Sequence, residues 1–307
     1  MSENETQTME QTEMPGFYSK KFKKEALKQL NGRWTTPVLI TLAVTVITSF
    51  LVCLAFPWEF YGNLISSAIN GYEPSMSSFP WVRYYITLLL IMIIEPVVEI
   101  AQLYTFPILF KNKEPLKFSE FITGFSLWGK ALGVFWWMYL WLVLWGMLGL
   151  FAGFLGGFLI AAICYAITQS SSAIAVILPI TGYIGFFIVL IIKTYQYSVA
   201  SFAIVDNTDV KVTQSLKISK ALTKGYKWKL FCLDLSFIGW QILAGMVYIG
   251  NLWLKPYQTS AKYAAYLYLL DDYNKRMDQT KIDQPKPRAI EDEPVSAEVD
   301  TTDSNQV

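Results

Sequence analysis

Glu95 and Glu99 are the only charges between Tyr84 and Phe110, and they stand four residues apart. On a helix that spacing puts both carboxylates on one face. Pro96 between them removes a backbone donor and loosens the local hydrogen bonding. A carboxylate at the centre of a bilayer costs about 2.5–3.5 kcal/mol on insertion scales, so such a pair must face protein or water. Its counterparts, Lys193, Asp234, Lys255 and Lys262, are spread over other apolar stretches. Two kinds of chemistry fit. One is a cation or proton pathway. The other is ion pairing between helices, Glu99 with Lys193 for example, together with snorkelling. Lys193 precedes Tyr195, Tyr197, Ser198 and Ser201, and Lys255 precedes Tyr257, Thr259, Ser260 and Lys262. These hydroxyls either bond neighbouring helices or line a ligand cavity.

Other chemistry is scarce. The 307 residues include no histidine, which removes the commonest general base and the commonest zinc ligand. The chain has no phosphate-cradling Gly-Lys-Ser/Thr loop, no HExxH and no nucleophile elbow. Cys53, Cys164 and Cys232 lie in apolar stretches without metal-ligand spacing and read as small buried residues. The expectation is a protein that is not an enzyme and uses no cofactor and no metal. A net charge of +1 gives no bulk attraction to nucleic acid.

The elements that hold these groups are long and apolar. Charged residues make up 16% of the chain, against about a quarter in soluble domains. Val38–Phe56 runs uncharged for 19 residues, enough to cross about 30 Å of hydrocarbon as a helix. Tyr84–Phe110, Ala131–Ile167, Ala173–Val205 and Leu230–Leu270 are similar. The polar, acidic start does not match a secretory signal, so the first span reads as an uncleaved membrane helix. The fold class is therefore an all-α polytopic membrane helical bundle.

Lysines set the expected topology. Tyr18–Arg33 holds five lysines and Arg33 against Glu25, and Lys111, Lys113, Lys117 and Lys130 follow the second stretch. Six lysines lie between Lys211 and Lys229. By the positive-inside rule all three segments face the cytoplasm. Pro57–Arg83 reads as an outer loop. Six spans result: Val38–Phe56, Tyr84–Phe110, about Ala131–Leu150, about Ile174–Ser198, Leu230–Val247 and Leu252–Leu270. Phe151–Ser172 reads as a re-entrant or surface-lying segment outside, with four crossings of this region as the alternative. Residues 1–16 and 274–307 read as disordered, flanking a membrane domain over 17–273; from Asp271 the tail has ten acids and five bases.

The three basic segments share a layout. Each carries apolar residues at helical spacing and leads through a tryptophan into a span: Trp34, Trp128 and Trp228. The apolar sets are Phe22, Ala26, Leu27 and Leu30; Phe118, Phe121, Ile122 and Phe125; and Leu216, Ile218, Ala221 and Leu222. Amphipathic basic helices lying on the inner leaflet explain this, with a threefold repeat of one such helix plus one hairpin. Lys21, Lys24, Lys130, Lys220, Lys224 and Lys229 would meet anionic headgroups, at about 1 kcal/mol each. Gly149, Gly153 and Gly157 form a smooth face for close helix packing, within the chain or between copies.

The stretch Ser215–Trp240 resembles the bacterial integral membrane family catalogued as domain of unknown function 975. Ile191–Ser198 and Leu252–Tyr257 match the same family. The resemblance is specific from about Leu178 to Tyr268. It implies a helical bundle in a bacterial cell membrane, distantly similar to the membrane domain of some glycerophosphodiester phosphodiesterases, and it supplies no catalytic residue. The chain departs from the pattern in the glycine-rich Leu150–Ser172 piece. It also has Leu178-Pro-Ile-Thr-Gly182 where the family has a short Ile-Pro-Gly turn. The reading that results is a non-enzymatic membrane module engaging anionic lipid, a partner membrane protein or itself. The alternative is a small-solute or ion transporter using the intramembrane Glu and Lys residues.

Overall fold

The computed structural model describes residues 17–56, 58–71, 79–112, 114–168 and 172–282. All regular structure among them is helical. The first unit comprises α1 (Ser19–Leu30), α2 (Thr35–Ala55), α3 (Trp58–Asn70) and α4 (Trp81–Lys111). The second is α5 (Phe118–Gly124) with a 3-10 turn, then α6 (Trp128–Thr168) and α7 (Ser172–Tyr197). After α8 (Ala200–Asp206) the third comprises α9 (Val212–Leu222), α10 (Lys227–Leu235), α11 (Ile238–Met246) and α12 (Asn251–Ile282). Each unit thus opens with a short helix and ends in a long one. Five stretches are long and apolar enough to cross a membrane: Thr35–Leu54, Trp81–Lys111, Phe118–Ile167, Val176–Asp206 and Lys227–Met246.

Local chemistry explains how these helices sit in hydrocarbon. In α2 the hydroxyls of Thr41, Thr45 and Thr48 donate to the carbonyls of Pro37, Thr41 and Val44, so each polar tip is satisfied within its own helix. At the end of α4 Arg33 Nη1 donates to the Leu109 and Asn112 carbonyls at 3.0 and 2.7 Å. It supplies partners that the last turn of a helix lacks. Gly32 and Gly225 have φ of +72° and +85°, a conformation that lets the chain turn abruptly just after α1 and α9.

The structure corrects several sequence expectations. α6 is one 41-residue helix, so Phe151–Thr168 is neither re-entrant nor surface-lying. Nothing between Ala131 and Ile167 breaks a helix. The glycines there serve contact with α7 instead. A Cβ on Gly149 would stand 2.7 Å from the Gly185 carbonyl oxygen, and one on Gly153 would collide with the Thr181 carbonyl. The loop expected over Pro57–Arg83 contains α3. The fifth span is broken at Ser236–Phe237, where Ser236 Oγ donates to the Leu233 carbonyl at 2.6 Å. α12 continues to Ile282, past the expected boundary at 273, with Lys275–Asp271 and Arg276–Asp272 pairs one turn apart. Cys53 is exposed, and Cys164 and Cys232 are half-buried rather than buried. Residues 1–16 and 283–307, part of the segments expected to be disordered, lie outside the described residues.

The centre of the bundle is α12. It is long, yet it is not among the five apolar stretches, because polar residues such as Lys255, Gln258 and Lys262 interrupt it. Ser260, Ala261, Ala264 and Ala265 are buried and small enough to admit close neighbours, and Tyr263 and Leu269 fill the remaining space. Apolar residues of the three short helices in the basic segments also pack on protein. Phe22, Ala26 and Leu30 of α1 are buried, Phe22 at 5.6 Å between ring centroids from Tyr268 of α12. Phe121 of α5 packs with Ile40, Ala101 and Leu116, and Leu216 and Leu222 of α9 are buried. These faces were expected to dip into lipid. The exposed apolar residues of the first two sets, Leu27, Phe118 and Ile122, are the exceptions.

Candidate functional site

A cavity of about 280 Å³ opens between α2, α4 and α12. α4 contributes Glu95, Glu99 and Gln102, α12 contributes Lys255, Gln258, Thr259 and Lys262, and α2 contributes Thr48. The carboxylate pair arises from the i, i+4 spacing, and the lysines lie seven residues apart, two turns along α12. A second cavity of about 240 Å³ lies on the α6 side of the same carboxylates, with Phe135, Trp136 and Tyr139 in its wall. Glu95 and Glu99 therefore border both spaces.

The polar contacts run on from the first cavity. Lys262 Nζ lies 3.0 Å from Asp234 Oδ1, and the Tyr195 hydroxyl donates to Asp234 Oδ2 at 3.1 Å. Polar contacts thus join α12 to α7 through Asp234 of α10. Gln102 Nε2 donates to Thr41 Oγ1 at 3.1 Å. Gln258 Nε2, in contrast, is buried and has no partner among the described residues. An orphaned buried donor is costly unless a ligand or water completes it.

Of the residues expected to form an intramembrane polar site, six are brought together: Glu95, Glu99, Lys255, Lys262, Asp234 and Tyr195. Lys193 and Tyr197 are not. They line another cavity, where Lys193 Nζ sits 3.3 Å from the centroid of the Trp145 ring. The pair Glu99 with Lys193 does not form, because α12 and not α7 flanks the carboxylates. Sequence reasoning missed the glutamines. Gln102, Gln196 and Gln258 each follow a charged residue by three: Glu99, Lys193 and Lys255. Each sits in the returning arm of its unit, and this recurrence was a readable signal.

The residues expected at the lipid interface divide. Trp128 and Trp228 are exposed, at 61% and 71%, whereas Trp34 packs against the core. Lys24, Lys220, Lys224 and Lys229 are exposed. Lys130 donates to the Thr208 carbonyl, and Lys21 lies 5.9 Å from the Tyr268 ring centroid. Lys23, between them, turns inward to the Ser236 carbonyl at 2.7 Å, and burial pulls its ammonium below the usual lysine range. Outside the bilayer spans, Tyr226 donates to Asp272 at 3.1 Å. Burial first, and then that bond, push its hydroxyl up to about 12.

A family model of proteins of unknown function, DUF975, matches residues 14–272. The chain belongs to this family. The DUF975 match takes in all three units, more than the resemblance over Leu178–Tyr268, and it covers both cavities bordered by Glu99. No curated protein and no solved structure matches the chain.

Proposed function

We propose that this DUF975 protein is a non-enzymatic membrane module that binds, and passes across the bilayer, a small solute carrying both signs of charge. The observation that carries the reading is the cavity in which Glu95 and Glu99 face Lys255 and Lys262 inside an otherwise apolar bundle. Charges in such a place are costly and mark solute or ion pathways. Opposite charges on facing helices suit the ammonium and carboxylate of one zwitterionic molecule, and the unpartnered Gln258 amide offers a further donor. The test is uptake by proteoliposomes of a panel of labelled zwitterionic amino acids and betaine. Wild type should exceed empty liposomes, and Glu99→Gln and Lys262→Gln should each reduce uptake about tenfold or more, the scale of a lost charged contact. Absence of uptake and binding across the panel for the wild type would reject this reading.

A second reading is supported by the exposed lysines. Lys24, Lys220, Lys224 and Lys229 present positive charge outward, and anionic lipid is their natural counterpart. We further propose the bacterial cell membrane as the location, six traversals, and both termini in the cytoplasm. Contacts at one end of the bundle favour this: Arg33 with Asn112, Lys130 with Thr208, and Tyr226 with Asp272. Each unit thus leaves and returns to the same end. The glycine face of α6 is occupied by α7 of the same chain, so it does not argue for self-association.

A further inference from the structure

The cavity that holds Lys193 shares no wall residue with those around Glu99. It measures about 560 Å³. Trp137, Trp141 and Trp145 form one wall, four residues apart and so on one face of α6. Lys193 of α7 and Lys217 and Lys220 of α9 form another wall. Lys227 adds a fourth charge behind them, donating to Gln196 Oε1 at 3.0 Å. No carboxylate among the described residues lines the space. Converging ammonium groups repel one another, and only Lys193 has an aromatic face to lean on. The site is therefore built for an anion.

Its placement narrows the anion. α9 stands at the basic end of the bundle, while α6 and α7 are exposed apolar helices beside it; Leu140, Leu144 and Ile192 are each 45% exposed or more. Lys193 lies against the Trp145 ring, so a molecule reaching it from the bilayer meets indole and ammonium together. An amphiphile with a charged phosphate and a hydrocarbon tail matches both walls.

We propose that this cavity binds an anionic phospholipid, its phosphate held by Lys193, Lys217 and Lys220 and the first part of an acyl chain lying along Trp137, Trp141 and Trp145. This is a formed pocket rather than diffuse surface charge, and it stands whatever the Glu99 cavity binds.

The experiment is native mass spectrometry of the full chain in detergent with phosphatidylglycerol, phosphatidylcholine or inorganic phosphate, alongside thermal unfolding. Three variants are compared with wild type: K193Q/K217Q/K220Q, the charge-matched K20Q/K117Q/K211Q at exposed lysines away from the cavity wall, and K193R/K217R/K220R. Three lysines at about 1 kcal/mol each predict that retained phosphatidylglycerol falls about tenfold or more in the first variant and less than about twofold in the second. The arginine variant should retain it, and this retention also reports a folded pocket. Equal losses in the first two variants would overturn the proposal, as would equal retention of phosphatidylcholine or loss in the arginine variant. Protection by inorganic phosphate matching that by phosphatidylglycerol would overturn lipid as the occupant.

Discussion

Asp206 accepts from Lys111 at 2.8 Å and from the Tyr263 hydroxyl at 3.1 Å on one oxygen, so a single carboxylate joins α4, α8 and α12. Lys111 is 61% exposed, and such a pair contributes little. Tyr263 is fully buried and needs its acceptor. Asp206→Ala should therefore destabilise the protein in detergent by about 1–3 kcal/mol, while Asp206→Asn and Lys111→Ala lose less than about 1 kcal/mol. Thermal unfolding of the three variants checks the order, and a larger loss for Lys111→Ala would refute it. In the sequence Asp206 is only the first acid after the apolar stretch Ala173–Val205. Its partners come 57 and 60 residues later, on a helix whose neighbours no local pattern reveals. Arg33 was likewise legible as a charge and not as the cap of α4. Glu95 and Glu99 were legible because a carboxylate in an apolar run is expensive wherever it lies. Their partners were not, since pairing depends on which helices touch.

At the scale of elements, the hairpin of α6 and α7 depends on backbone proximity. A Cβ at Gly153 would meet the Thr181 carbonyl and, at 2.9 Å, Gly182 Cα. A Cβ at Gly156, three residues on, meets nothing within 4 Å. Gly153→Leu should cost about 1–3 kcal/mol through overpacking, whereas Gly156→Leu should stay within about 0.5 kcal/mol. Equal melting temperatures for the two variants would show that the close approach does not hold the hairpin. The small-residue pattern was readable, and so was the helical nature of the segment. The boundary at Leu150 was misread because bilayer thickness was used to end a helix that has no internal reason to stop. Short helices do lie within the three basic segments. Which surface covers their apolar faces depends on tertiary packing, and here α4, α6 and α12 reach them before lipid does.

For the whole molecule, the three basic segments converge on one end. If that end faces the cytoplasm, a cysteine placed at Lys220 or Lys275 will resist a membrane-impermeant maleimide in intact cells and react after permeabilisation. Labelling of either from outside would invert or break the proposed topology. The uncharged part of α6, Ala131–Ile167, spans about 55 Å at 1.5 Å per residue, against about 30 Å of hydrocarbon. Leaning by about 40°, the upper end of common tilts, it still projects about 42 Å. That is about 12 Å more than the hydrocarbon layer, so the ends of this arm reach into the headgroup regions, which bring the bilayer to about 40–45 Å. A thinner or thicker membrane would change how much of the arm those regions cover, making it a local gauge of membrane thickness.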